Sequence, residues 1–446
     1  MLLFLIGGGS RADISSLVLV RPIAVILCAW WALRLDGAAL KANRWFFVFA
    51  AATFALSFIH LIPMPPAMWR ALPGREIVSQ IDSVAGLGDV WRSLTLAPTA
   101  ATNAMWSLFV PLAAGLGMAN LSTTERRAIL PVVLVMATVS LAVSLLQIFA
   151  LGAGFLWFYR ITNSGSPVGL FANRNHNAVF LASVVPMVVA WAIALGAEQR
   201  AAFKRALAAV FIVMVAIVEL VSGSRSGIIV FAAAICASAL LLPVSWTPKR
   251  RTAHTLPKWI LSPRRTAMIA LAVFAPLAAL FGARTMTDTN ALARLTDSGT
   301  GDFRPVIWEQ TWSHIVEYLP FGSGLGSFVE AYRLGERPSD IMPSYINHAH
   351  NDFLEIALTT GIPGILLLAA FLAFLAWKAA LVWRMSPTPG SHVRFARAAS
   401  ASIGVLVAAS FVDYPIRTPS IAAFFVIAVF WLLSPRAGQR STDKAR

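Results

Sequence analysis

Apolar residues run through this chain in blocks of roughly 17–25, about the length of helix that crosses a hydrocarbon core of about 30 Å. The blocks lie near 14–33, 44–62, 102–121, 128–151, 176–197, 205–222, 226–243, 266–282, 362–383, 396–412 and 419–434. Each predicts a membrane-spanning helix. Between them, polar segments alternate in character. Arg34, Lys41 and Arg44, then Arg126 and Arg127, Arg200 to Arg205, Lys249 to Arg265, Arg384 to Arg397 and the tail Arg436 to Arg446 collect on one side. Lys41, Lys204, Lys249, Lys258 and Lys444 all fall there, with Lys378 near the same side of a span. Short basic loops stay in the cytoplasm, so these segments are inside. Segments 63–101, 152–175, the turn 223–225, 283–361 and 413–418 then face the exterior, and none of them contains a lysine.

The pattern predicts an all-α, polytopic membrane fold of eleven or twelve spans. It divides into a helix bundle over 1–282, a large outer loop with short helices over 283–361, and C-terminal helices with a basic tail over 362–446. With eleven spans and the tail inside, the amino terminus falls outside. A twelfth span, of which Met1–Ile6 would be the remnant behind a misplaced start codon, restores an inside start. Met1–Ile6 itself is too short to span and has no charged region before it, so it does not read as a signal peptide. Residues 63–101 are rich in Pro and Trp and are expected on the membrane interface. Over 303–318, Phe303, Val306, Ile307, Trp308, Thr311 and Ile315 recur at helical spacing and predict an amphipathic surface helix.

Composition agrees with this picture. Of 446 residues, 58% are hydrophobic and 13% charged, against about 45–50% and about 25% in soluble domains. The net charge of +16 would suggest nucleic acid in a soluble protein. Here the basic residues lie in short loops between spans, and no soluble segment interleaves basic and aromatic residues, which excludes a nucleic-acid partner. Cys28 and Cys236 lie inside apolar spans, arguing against a disulfide or zinc framework.

Polar groups at outer span ends are candidates for function. Four places qualify: Arg174 and Asn175 in Asn173-Arg174-Asn175-His176, Arg225 in Ser224-Arg225-Ser226-Gly227, Arg304 in Asp302-Phe303-Arg304-Pro305, and His350 in Asn347-His348-Ala349-His350-Asn351-Asp352. Arginine alone serves the outer side, and its planar fork suits diphosphate oxygens where lysine acts as a point charge. A lipid diphosphate is the natural ligand. Each arginine could equally anchor to phosphate headgroups. The His348-Ala349-His350 pair raises a metal site, but no Cys or further His cluster supplies third and fourth ligands, so no metal is assigned. A structural histidine is the plainer alternative. An imidazole there suits deprotonation of a sugar hydroxyl. Gly322-Ser323-Gly324-Leu325-Gly326 lacks a Walker lysine and reads as a flexible hinge after Pro320. Glu219 and Asp413 are expected either as partners of the arginines or as polar links between helices.

These residues resemble the O-antigen ligase and polymerase superfamily of bacterial membrane glycosyltransferases. Its hallmark is His, then Asn, Ser or Gln, nine residues, Gly, two residues, then Gly, Thr or Tyr. His350-Asn351, nine residues, then Gly361-Ile362-Pro363-Gly364 matches that spacing. Ser224-Arg225-Ser226-Gly227 resembles the family's Ser-Arg turn. Arg304, Trp308 and the stretch from Pro320 to Phe328 are similar to its outer-loop signature. The specific likeness runs from about 160 to 385, and the topology over the whole chain. The departure is the apparently missing first helix.

The resemblance implies a GT-C-like membrane fold and transfer of a glycan from an undecaprenyl-diphosphate carrier to an acceptor, either lipid A-core or a growing polysaccharide. The reaction would take place at the periplasmic face of the cell inner membrane, with no cofactor. It implies His350 as the base, Arg225 and Arg304 on the diphosphate, and Trp308 and Asn351 beside the substrate; Arg174 and Asn175 are added from the residues themselves. A lipid-linked oligosaccharide flippase or other transporter is the alternative from another class. It predicts ionisable residues along mid-membrane helices, and apart from Arg21 the span interiors hold almost none.

Overall fold

The structure is a computed structural model, and it describes residues 1–149, 154–194, 198–242, 303–338, 341, 345–386 and 392–434. It is helical almost throughout, with one antiparallel pair of two-residue strands, β1 (Pro63–Met64) and β2 (Arg92–Ser93). Every expected span except 266–282, which lies outside the described residues, falls on a helix or a helix pair.

The N-terminal half contains α1 (Leu2–Ile6), α2 (Leu17–Ala32), α3 (Gly37–Ala42), α4 (Arg44–Ile59), α5 (Pro66–Arg70), α6 (Glu76–Val84), α7 (Pro98–Ser107), α8 (Phe109–Asn120), α9 (Thr123–Ala128) and α10 (Leu130–Phe149). Then follow α11 (Arg174–Ala192), α12 (Glu198–Ser222), α13 (Arg225–Ala239), α14 (Arg304–Tyr318), α15 (Phe328–Leu334), α16 (Asp352–Arg384), α17 (His392–Ala409) and α18 (Pro419–Leu433). The expected span 102–121 is split into α7 and α8. Pro111 lacks an N–H and its ring clashes with the carbonyl four residues back, at Ser107, where α7 ends. Pro131 acts in the same way where α9 gives over to α10.

Among the described residues, four stretches are long and apolar enough to cross a membrane: Thr123–Phe149, Arg174–Ala192, Arg200–Ser222 and Asp352–Arg384. Shorter apolar helices are Leu17–Ala32, Arg44–Ile59, Arg225–Ala239 and Pro419–Leu433. Two helices, α11 and α18, are apolar on every side and enclosed by others, with Val179, Leu181, Phe424 and Phe430 fully buried. All-round hydrophobicity marks the centre of a bundle. Around them, α2, α4 and α16 leave Val18, Val48 and Leu366 exposed, as helices facing lipid do. Arg21, inside a span, donates to Ser107 Oγ (3.0 Å) and the Asn103 carbonyl (3.4 Å).

The segments expected on the outer side meet at one end of the bundle. There α14 forms where the periodicity predicts it, burying Ile307, Thr311, Ile315 and Tyr318. Phe303, expected on the buried face, is half exposed because it precedes the first turn. In α6 the apolar residues Ile77, Ile81 and Val84 point outward while Asp82 is buried against Arg92.

The glycine-rich stretch is not a hinge. Its backbone is bonded on both sides: Ser323 N–H donates to the Leu358 carbonyl (2.8 Å), Gly324 N–H to the Thr359 carbonyl (2.9 Å), and Ile362 N–H to the Pro320 carbonyl (2.9 Å). From the other side Leu96 N–H donates to the Ser323 carbonyl (3.1 Å) and Leu325 N–H to His60 Nδ1 (2.9 Å). Arg75, fully buried between the rings of Trp69 and Tyr318, donates to the carbonyls of Leu94 and Gly322. Glycines sit here because backbone approaches backbone. A Cβ on Gly324 (φ +108°) would lie 2.0 Å from Thr95 Cα.

The glycine-rich stretch is inserted where α16 breaks. Gly361 has φ 59° and ψ −153° inside that helix, and the kink frees the amide that Pro320 takes up. This region of backbone space is essentially restricted to glycine, and a Cβ on Gly361 would lie 2.2 Å from the Pro320 oxygen. Gly361→Ala is therefore expected to destabilise the protein by at least about 2 kcal/mol, lowering the melting temperature of detergent-solubilised protein. Gly404→Ala, in α17 with open space around it, should leave it unchanged or raised. Equal behaviour of the two variants would contradict this account of the kink.

Candidate functional site

His350 stands two residues before the first turn of α16, with a positive φ of 49°. A non-glycine residue in that region is uncommon and is held only where its surroundings over-determine it. Here they do. Ala349 N–H donates to Glu355 Oε2 (3.0 Å), and the Ala349 carbonyl accepts the indole N–H of Trp308 from α14 (2.9 Å). Asn351 is the N-cap of α16, its side-chain oxygen accepting the amides of Phe353 (3.0 Å) and Leu354 (3.1 Å). Asp352 N–H donates to the Ser410 carbonyl (2.9 Å). The His-Asn pair of the motif is thus a strained histidine followed by the cap that terminates the strain.

The His350 ring meets a fully buried carboxylate, with Nδ1 3.3 Å from Asp413 Oδ1. A carboxylate on Nδ1 fixes the proton there and leaves Nε2 with a free lone pair. Asp413 is satisfied on its other sides. Asn175 Nδ2 donates to Oδ2 (2.8 Å), Tyr414 N–H donates to Oδ1 (3.0 Å), and His176 Nε2 lies 3.9 Å away. Burial alone would raise the Asp413 pKa; the His350 hydrogen bond, the two imidazoles and the Asn175 amide outweigh it and hold the carboxyl well below the ordinary range. Asp413 therefore pairs with histidines rather than with an arginine. Glu219 is no arginine partner either: its carboxylate is buried against Gly227 with no hydrogen-bond partner among the described residues.

A second circuit lies on the far side of Tyr414, whose ring centre is 4.2 Å from that of His348 and 5.1 Å from those of His350 and His176. His348 Nδ1 meets Glu355 (3.0 Å), and Arg417 donates Nε to Asp352 (2.7 Å) and Nη1 to Glu355 (2.6 Å). The two imidazoles of the His348-Ala349-His350 pair are thus held by different carboxylates. Tyr414, Arg417, Glu355 and His176 were not singled out from the sequence. The available signal was an Asp and an Arg within the short loop 413–418 between two apolar spans, where charge is costly without a purpose.

Arg174, Arg225 and Arg304 are each the first residue of a helix: α11, α13 and α14. Short links bring these helix starts to the histidine. Asn175 bonds Asp413, and its Oδ1 accepts the Ser224 hydroxyl (2.8 Å) beside Arg225. Trp308, one turn beyond Arg304, bonds the residue before His350. Arg174 Nη1 lies 3.4 Å from Ser166 Oγ. Of the residues expected near substrate, Asn175, Asn351 and Trp308 use their polar atoms within the protein; the arginines stand at the helix ends around them.

Asp413 contributes stability in full above the ordinary aspartate pKa of about 4, and that contribution is lost as pH falls below it toward the group's own lowered value. Asp413→Asn is accordingly expected to lower the melting temperature at neutral pH and to flatten its decline between about pH 5 and pH 2. Parallel acid slopes in thermal unfolding of the two proteins would show that Asp413 carries no such linkage.

Residues 208–369 match the family described as O-antigen ligase. The match runs from within α12 to within α16 and includes Arg225, Arg304, Trp308, His350, Asn351 and Gly361, whereas Arg174, Asn175, Asp413 and Arg417 lie outside it. No curated protein matches the chain. The matched stretch, which carries the strained histidine and two of the helix-start arginines, is similar to the O-antigen ligase family and supports a function of the O-antigen ligase and polymerase type.

Proposed function

We propose that the protein is an O-antigen ligase-like glycosyltransferase that moves a glycan from undecaprenyl diphosphate to lipid A-core at the periplasmic face of the inner membrane. The observation that carries this reading is that Arg174, Arg225 and Arg304 are each the first residue of a helix, and that hydrogen bonds of Asn175, Ser224 and Trp308 link those helices to the loop of a carboxylate-oriented imidazole. A helix start bears about half a positive charge and favours an anion by about 0.3–1 kcal/mol. Three such starts describe a seat for a multiply charged anion, and arginine engages diphosphate oxygens in pairs.

The chemistry follows from that seat. The acceptor hydroxyl oxygen forms the new bond to the anomeric carbon, and its proton passes to His350 Nε2. The bond from that carbon to the diphosphate oxygen breaks, its electron pair leaving with the diphosphate. Negative charge grows on the leaving group as the bond lengthens, so cations already fixed beside it lower the barrier without reorganising. Arg225 and Arg304 take that role, with Arg174 beside them. Attack from the face opposite the leaving group inverts the anomeric centre. The arginines supply the charge that a metal ion would, so metal is not required.

A polymerase of the same superfamily, extending the glycan on its own carrier, uses the same bond changes and differs in the acceptor. Polysaccharide on lipid A-core with the gene present, and free lipid-linked polymer without it, marks a ligase; loss of long chains altogether marks a polymerase.

Purified protein given a synthetic undecaprenyl-diphosphate glycan and lipid A-core in EDTA is expected to transfer the glycan. His350→Ala should reduce the rate by about 10²–10⁴-fold, and Arg225→Ala by about 10²–10³-fold. Undiminished transfer by both variants sinks the mechanism, and a strict metal requirement removes the arginines from their assigned role.

A further inference from the structure

We propose that Asn175 is a positioning residue: its side-chain amide ties the carboxylate that orients His350 to the turn that carries Arg225, holding base and cation at a fixed spacing. The inference rests on the transferase reading of those two residues.

The amide is spanned on both sides. Nδ2 donates to Asp413 Oδ2 (2.8 Å) and Oδ1 accepts from Ser224 Oγ (2.8 Å). Chemistry sets its orientation. A carboxylate accepts only, so the NH₂ must face Asp413 and the oxygen must face the hydroxyl. Ser224 Oγ in turn accepts the Gly227 amide (3.0 Å) as N-cap of α13, so its one proton is free to go to Asn175. The chain of bonds therefore runs without a break from the first turn of α13, through Asn175 and Asp413, to His350 Nδ1. It crosses from residue 227 to residue 350 by way of 175 and 413, four points far apart in sequence.

The support is rigid. Asn175 is the second residue of α11, the enclosed helix at the centre of the bundle, and its own amide is bonded to Asn173 Oδ1 (2.8 Å). The next residue, His176, is fully buried, with Nδ1 3.0 Å from Thr418 Oγ1. Those bonds leave the amide one N–H and one lone pair, so a direct hold on substrate is the lesser use of this side chain. Catalytic groups need placement within about 0.5 Å, and an error of about 1 Å can cost about 10²-fold. A bridge between the two halves of the machinery supplies that placement.

Groups facing Asp413 are His350 from the loop before α16, His176 from α11 and the adjoining Tyr414, with His348, Glu355, Asp352 and Arg417 beyond the tyrosine ring. Among these, Asn175 is one of the contacts that keep Asp413 ionised. Its removal raises the pH at which Asp413 takes up a proton.

The test compares Asn175→Ala, Ser224→Ala, the double variant and His350→Ala in full-length protein, using the undecaprenyl-diphosphate glycan as donor. Asn175→Ala is expected to lower kcat by about 10–100-fold while the donor KM stays within about two-fold, and to move the acid-side loss of activity to higher pH. Ser224→Ala should lower kcat less, and the double variant should be no worse than Asn175→Ala, because both act through one bridge. A raised KM with unchanged kcat would make Asn175 a substrate contact, and multiplying losses would make the two residues independent; either result overturns the proposal. If Asn175→Ala gives no cooperative melt, Ser224→Ala decides alone, unchanged kcat counting against the bridge. Undiminished transfer by His350→Ala defeats the reading of His350 as the base, on which this inference rests, whereas a His350→Ala slowed as expected beside a wild-type-like Asn175→Ala defeats only this inference.

Discussion

The left-handed backbone at His350 is the constraint on which the site depends. Such a conformation costs about 1–3 kcal/mol at a non-glycine residue, and it persists because four separate contacts hold its neighbours. Trp308 reaches in from α14, Glu355 reaches back from the first turn of α16, Asn351 caps that helix, and Ser410 at the end of α17 accepts the Asp352 amide. The strain turns the imidazole away from the path an extended chain would take and onto Asp413. Much of what reads as a functional motif here is the apparatus that keeps one side chain in that orientation.

Charge around the histidine is divided into two circuits that share the Tyr414 ring. One contains Asp413 with His350 and His176; the other contains Glu355 and Asp352 with Arg417 and His348. Burying an ionised carboxylate is costly unless it is paired and hydrogen-bonded, and each circuit meets that need by itself. Asp413 is consequently left to orient His350 without an arginine beside it, while Arg417 is committed to fixing the start of α16. This separation gives neighbouring histidines of one short motif different duties.

The helices were legible in the sequence because hydrophobic block length is a local property. Arg174, Arg225, Arg304 and His350 stood out in it as well, as polar groups at span ends where lipid-facing chain would avoid them. The breaks at Pro111 and Pro131 were also local, yet apolar continuity across both prolines masked them. What could not be read was partnership across great sequence separation. Asn175 finds Asp413, and Thr418 finds His176, through folding alone. The glycines from 322 to 326 illustrate the same limit: glycine signals freedom in an isolated peptide and close packing in a folded one, and only the segments lying against it decide which. Here Thr95, Ala100 and Gly361 do so.

The break at Gly361 gives the nine-residue gap in the motif a geometrical meaning. Residues 352–360 make about two and a half turns of helix, with His350 set at one end by its cap and Gly361 locked at the other against Pro320. The segment works as a screw of fixed length and pitch. One added or deleted residue would turn one end by about 100° relative to the other and shift it by about 1.5 Å, so the imidazole and the kink could not both meet their partners. Surface loops elsewhere in the chain can drift in length over evolutionary time, whereas this short screw must keep its count.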